Sequence, residues 1–210
     1  MINFPKSTEL RRYIPKEKFY SKTAVNSKLR QLFTDEIDKI YWTNKISPDT
    51  LNISSKDYRE VHVFEITLKS NELSRSVLKH IDAFIPYPIL FIVKRMGAEK
   101  AVISFKEPSS SGESLMKVDV YYETAWTNQL DLELKGRSVD EIYKHLLAQV
   151  SPDLKSVESS NTKEVVEMDK ERQKILKQIE ALTKRIEKEP STAKRQEMSR
   201  ERHELRLRLN

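Results

Sequence analysis

An α+β fold is predicted for this chain: a mixed β-sheet with a β-α-β core unit and flanking helices, followed by an α-helical, coiled-coil-like hairpin. Three observations predict it. Between Glu60 and Lys69, His62, Phe64, Ile66 and Leu68 alternate with Val61, Val63, Glu65 and Thr67, the period of a strand. Leu73, Val77, Ile81 and Phe84 then recur at spacings of four, four and three, the stripe of a helix, and Ile89–Val93 is a continuous apolar run suited to a strand buried on both faces. Beyond residue 162 the apolar residues thin to a heptad-like seam.

The elements follow in order. Pro5 and Pro15 break residues 1–25 into short pieces. Asn26 or Ser27 can cap a helix carrying Leu29, Leu32, Phe33, Ile37 and Ile40, and Tyr41–Ile46 reads as a strand. Ser47-Pro48-Asp49-Thr50 is a turn signal, with a short strand expected at 51–53. Ser70 or Asn71 is expected to cap the central helix over 72–84, and Pro86 and Pro88 to end it. Gly97-Ala98 marks a tight turn into a strand over 101–105, and Pro108–Glu113 reads as a surface loop. Val118–Trp126 alternates as a strand; Leu130, Leu132 and Leu134 alternate with acids as a further edge strand. Ser138-x-x-Glu141 is a capping box opening a helix that ends near Ser151-Pro152. The expected organisation is a body at 1–150, a polar linker at 151–162 and a basic helical hairpin at 163–210, its seam made by Met168, Arg172, Ile175, Ile179, Leu182 and Ile186 against Met198, Arg202, Leu205 and Leu209.

Composition bounds the chemistry. There is no cysteine, which excludes disulfides, thiolate zinc sites and cysteine nucleophiles. Mean hydropathy is −0.64, no apolar run approaches the roughly 20 residues of a bilayer span, and the N-terminus lacks an apolar signal region, so a cytoplasmic chain without membrane contact is expected. Only three glycines occur and no phosphate-cradling motif, which disfavours ATPase and methyltransferase activities. The net charge of +6 is uneven: residues 1–34 hold eight bases against two acids and residues 163–210 fourteen against ten, while the middle is acidic. Basic ends of this kind suit a polyanion or an acidic protein surface. The candidate nucleic-acid or partner-binding residues are therefore Arg11, Arg12, Lys194, Arg195, Arg200, Arg202, Arg206 and Arg208. The plainer reading of the last helix is a solvated, salt-bridged face, with Glu201 pairing to neighbouring bases. Tyr121, Tyr122 and Trp126 offer stacking rings, or an ordinary strand cluster. The four histidines fall in separate elements, none at helical metal-ligand spacing.

The segments FPKST (4–8), IPKEKFY (14–20), LFTDEIDKIYWTNKISPDTLNI (32–53), EVHVFEITLK (60–69), IPYPILFIV (85–93), YYETAW (121–126) and the tail from Ile179 to Leu205 together resemble the prokaryotic family called domain of unknown function 4391. The family's tail reads Gln-Phe-Asn where this chain has Pro190-Ser191-Thr192-Ala193, so the joint between the two helices is expected to differ. The resemblance implies companions of methyltransferase and helicase type in restriction-like defence loci, and brings no catalytic residues with it. With that context and the basic ends, the expected function is a non-catalytic adaptor without cofactor, bound to protein subunits of such a complex, its basic terminal segments meeting a partner, DNA or a second copy of the chain.

The enzymatic alternative is a divalent-metal nuclease. The order of helix (27–36), strands (41–46, 51–53, 60–69), helix (72–84) and strand (88–93) is similar to the core of PD-(D/E)xK nucleases. That resemblance implies Asp49 and Glu60 as holders of Mg²⁺ or Mn²⁺, polarising phosphate and activating water. His62 stands where those enzymes place a lysine.

Overall fold

The computed structural model describes residues 4–21, 25–107, 117–151, 154 and 162–209. The chain divides into two units, residues 1–158 and 159–210. The expected loop at 108–113 and most of the linker at 151–162 lie outside the described residues.

Unit one is a six-stranded mixed sheet: β1 (Glu9–Tyr13), β2 (Ile37–Ile46), β3 (Val61–Leu68), β4 (Ile89–Arg95), β5 (Ala98–Glu107) and β6 (Lys117–Glu123). Sheet order equals chain order, β1 to β6. Only β3–β4 is parallel, and α3 (Arg75–Ala83) is its crossover, so the predicted core unit is present. The other pairs are antiparallel.

One face of the sheet packs against α1 (Ser27–Glu36) and α3, where Phe33, Val77 and Ile81 meet Ile40, Phe64, Ile66, Phe91, Val93 and Val102. Residues of the other parity, Val63, Leu90, Ile92 and Ile103, point the opposite way, and over β1–β5 that second face opens into a cavity of about 680 Å³. α4 (Val139–Val150) packs against β5 and β6 through a face including Ile142, Tyr143, Leu146 and Leu147. Ser138 accepts the Glu141 amide at 3.1 Å, and the Glu141 carboxylate accepts the Arg137 amide at 2.7 Å. Gly136 before it has φ 151°, and a Cβ there would lie 2.8 Å from Glu141 Cβ and Ile142 N, so only glycine fits.

Four elements differ from expectation. α1 stops at Glu36; Ile37 and Ile40 belong to β2, where both are fully buried. A register shift between Ile37 and Lys39 puts residues three apart on one strand face, which imitates helical spacing. Residues 48–51 form a short helix, α2 (Pro48–Leu51), instead of turn and strand, because Ser47 and Thr50 cap each other reciprocally. α3 begins at Arg75 and not near residue 72: Glu36, from α1, accepts the amide of Ser74 at 2.7 Å and also its hydroxyl, so the cap comes from another helix. Residues 130–134 form no strand. Leu130 and Leu132 are buried, but Glu99 takes the Leu130 amide at 2.6 Å and Gln149 brackets Glu133 at 3.0 and 2.9 Å, so side chains replace the ladder.

Unit two is a helical hairpin of α5 (Thr162–Lys188) and α6 (Thr192–Leu207). Ile175, Leu182, Met198 and Leu205 are buried between the helices, with Ile179, Ile186 and Leu209 packed beside them. Met168 and Arg172, expected in the seam, are exposed and lie outside the buried cluster. No helix among the described residues is long and apolar enough to cross a membrane.

Candidate functional site

The antiparallel register of β2 and β3 sets Lys45 opposite His62. It thereby gathers three polar side chains beside the start of β3. Lys45 Nζ lies 2.9 Å from Glu60 Oε1, and His62 Nε2 lies 2.8 Å from Glu60 Oε2. The His62 ring is 4.6 Å from Trp42 and 5.3 Å from Tyr87, is 6% exposed, and leaves Nδ1 without a partner. Burial holds the imidazole below its usual range although Glu60 pulls the other way. Burial also pulls Glu60 up, but hydrogen bonds from His62 and Lys45 outweigh it and hold the carboxylate below its ordinary value. Both carboxylate oxygens of Glu60 are thus occupied by the chain's own donors. Asp49, the second carboxylate of the nuclease reading, is exposed in the first turn of α2. Among the described residues, Asp49 does not join Glu60 and His62 in a cluster whose ligand atoms all lie within 4.8 Å of one another.

A second constellation escapes sequence reasoning. Lys106 on β5 and Asp82 on α3 have fully buried side chains 3.0 Å apart. Lys106 Nζ also donates to the carbonyls of Asp82 at 3.1 Å, Ile85 at 2.6 Å and Tyr87 at 2.8 Å. Asp82 accepts from Ser104 Oγ at 3.3 Å and from the Tyr121 hydroxyl. Tyr143 donates to the Ser104 carbonyl at 2.6 Å and takes the Lys106 amide at 3.2 Å, while Tyr58 donates to the Lys106 carbonyl at 3.0 Å. Burial pushes Lys106 down and Asp82 up, and each charge holds the other against that push. With its donors saturated and no solvent contact, this ammonium has nothing to offer a substrate. It bolts the end of α3 and the Ile85-Pro86-Tyr87-Pro88 segment to β5. The only trace in the sequence is parity: Lys106 shares a strand face with Val102 and Ser104.

The aromatic residues are engaged internally. Tyr121 is tied to Asp82, Tyr122 is buried, and Trp126 carries the Arg95 guanidinium 4.0 Å and the Lys100 ammonium 5.0 Å from its ring centre. His80 contacts the Phe19 carbonyl at 2.5 Å, and His203 is exposed on α6.

The basic candidates fall in both units. Arg11 and Arg12 are exposed on the edge strand β1, with Arg11 at φ 46° and 3.1 Å from Glu9. On α6, Lys194, Arg195, Arg200, Arg206 and Arg208 are exposed, and Arg202 is half-buried, reaching Thr183 Oγ1 at 3.3 Å. Helical spacing sets three of these cations apart from the acids, while Lys194 and Arg208 share the acids' flank. Arg195, Arg202 and Arg206 step by seven and four along one flank of the apolar seam; Glu197, Glu201 and Glu204 step by four and three along the other. The expected pairing of Glu201 with its neighbours is not found: among the described residues no ion pair joins α6 acids to α6 bases, whereas α5 has Glu167–Lys170 at 2.8 Å and Glu180–Lys184 at 2.6 Å.

A calmodulin-sensitive adenylate cyclase of Bacillus anthracis is 28% identical to this chain over 151 residues, which is 66% of the chain and 18% of that protein. The chain therefore spans about a fifth of that relative's length. No solved structure matches the chain. The family described as domain of unknown function (DUF4391) matches residues 2–210. By that match over nearly its whole length, the chain belongs to this family.

Proposed function

We propose that the chain is a non-catalytic accessory subunit of a restriction-like, DNA-directed defence assembly, and that its hairpin docks on nucleic acid beside a methyltransferase- or helicase-type partner. The observation that carries this reading is the α6 flank of Arg195, Arg202 and Arg206, without an ion pair among the described residues and on the opposite flank from Glu197, Glu201 and Glu204. Cations so arranged along one helix face can neutralise phosphates without reading bases, releasing counterions. The non-catalytic part is supported by Glu60, whose two oxygens are taken by Lys45 and His62. The defence setting comes from the family resemblance. Cyclisation of ATP is left to the adenylate cyclase, since this chain has three glycines and no phosphate-cradling motif.

The test is a mobility shift of the full chain on linear duplex DNA across a salt series, with and without Mg²⁺ or Mn²⁺. Binding that weakens steeply with salt, and is lost in the Arg195→Gln/Arg202→Gln/Arg206→Gln triple variant, is the expected result. Metal-dependent cutting abolished by Asp49→Ala and by Glu60→Ala would replace the adaptor with a nuclease holding Mg²⁺ or Mn²⁺ at those residues.

A further inference from the structure

The sheet's second face carries a cavity of about 680 Å³, within the roughly 300–1,000 Å³ of small-molecule sites. Its floor is apolar, from Val63 and Ile92. Its walls are charged with both signs: Glu9, Glu65 and Glu99 against Arg11 and Lys94. The cations are paired internally, Arg11 with Glu9 at 3.1 Å and Lys94 with Glu65 at 2.7 Å. Both pairs are partly solvated, with Arg11 77% and Lys94 41% exposed. Ion pairs of that kind are weak, so a ligand can exchange partners with them at little cost.

Arg11 adds an independent observation. It sits at φ 46°, left-handed backbone that a non-glycine residue avoids, and it lies where the β1–β2 register shifts between Glu9 and Arg12. Glu9 and Arg11, two residues apart on β1, both line the cavity. Strain held at a cavity wall is a mark of a site.

The wall chemistry selects a ligand class. Three carboxylates against two cations oppose a polyphosphate. A guanidinium fork suits a carboxylate, and the carboxylates of Glu65 and Glu99 suit an ammonium. The side-chain amides of Asn128 and Gln129 complete a polar rim. We propose that this cavity binds a small zwitterion of the α-amino-acid class, its carboxylate on Arg11 and its ammonium on the Glu65 and Glu99 side.

Saturation-transfer NMR on the full chain tests this, with a mixture of the standard protein α-amino acids as probe and AMP, acetate and putrescine as comparisons. The expected result is transfer to at least one amino acid, with affinity weakened about tenfold or more in both Arg11→Gly and Glu65→Gln. Arg11→Gly suits the left-handed backbone and Glu65→Gln keeps the side-chain shape, so each retains the fold, as circular dichroism would verify. Transfer to no amino acid overturns the proposal. So does binding that both variants retain, or binding of AMP, acetate or putrescine as tight as that of any amino acid.

Discussion

Lys106 and the arginines of α6 are the same kind of charge treated in opposite ways. Lys106 is fully buried and surrounded by the Asp82 carboxylate and three carbonyl oxygens. Arg195 and Arg206 are exposed, Arg195 and Arg202 each reach a threonine hydroxyl, and among the described residues none of the three forms an ion pair. A buried charge must be answered inside the fold, or it is expelled or neutralised. A solvated one contributes little to folding and stays available. Charge count alone therefore misleads: the body's most elaborate polar network is architectural, while the hairpin leaves Arg195 and Arg206 exposed to solvent.

The comparison breaks first at Lys106. Lys106→Met leaves Asp82 buried beside the Tyr121 and Ser104 hydroxyls without its cation, and is expected to cost about 3–5 kcal/mol in urea unfolding. Lys106→Met combined with Asp82→Leu should recover much of that loss, because no uncompensated charge remains. A double variant as unstable as the single one would show that packing, not charge, makes the bolt.

Asp140 is the next probe of internal answering. It accepts the amides of Lys56 and Asp57 at 2.8 Å each and of Tyr58 at 3.2 Å. Asp140→Ala should cost about 1–3 kcal/mol and raise amide exchange at residues 56–58.

The Glu60–His62 pair sharpens the comparison through pH. Burial lowers His62 from its ordinary 6.5, so below that pH the unfolded chain takes a proton before the folded one and stability falls. Glu60 is held below its ordinary 4.5, so its contribution is present above that pH and is lost as pH falls through the folded value. The two act in the same direction in successive windows. His62→Gln should flatten the stability profile just below pH 6.5 and also shrink the more acidic limb, because the imidazole is one of the two donors that hold Glu60 down.

The α6 flank should show the smallest effect on stability and a large one on binding. The triple Arg→Gln variant at 195, 202 and 206 should unfold within about 0.5 kcal/mol of the parent at each site. If each arginine meets one phosphate, the salt slope of DNA binding should fall by about 2.7. A destabilised hairpin with an unchanged slope would make these arginines structural.

What was legible in the sequence follows the range of the interaction. β3, α3 and β4 were readable because a period of two, then a stripe, then an apolar run are local signals. The basic residues of α6 are plain in the sequence, but their partial sorting by flank is not, because the acids interleave with them along the chain. Ile37 and Ile40 were misread because a bulge in β2 gives strand residues helical spacing. Glu60 was found with His62, two residues away, but Lys45 was missed because only the β2–β3 register brings it close. Asp82 and Lys106 are 24 residues apart and meet through packing of α3 on β5, which no local pattern encodes.

Because the strands lie in the sheet in the order in which they occur along the chain, assembly has a direction. During synthesis β2 emerges to find β1 already made, β3 finds β2, and each later strand finds its neighbour waiting. No strand must hold an open edge for a partner many elements downstream, apart from the two that remain at the margins. Such a topology keeps chain closure short-ranged and limits the time unpaired backbone is offered to other molecules. The nascent chain can thus build its sheet edge by edge before the hairpin has left the ribosome.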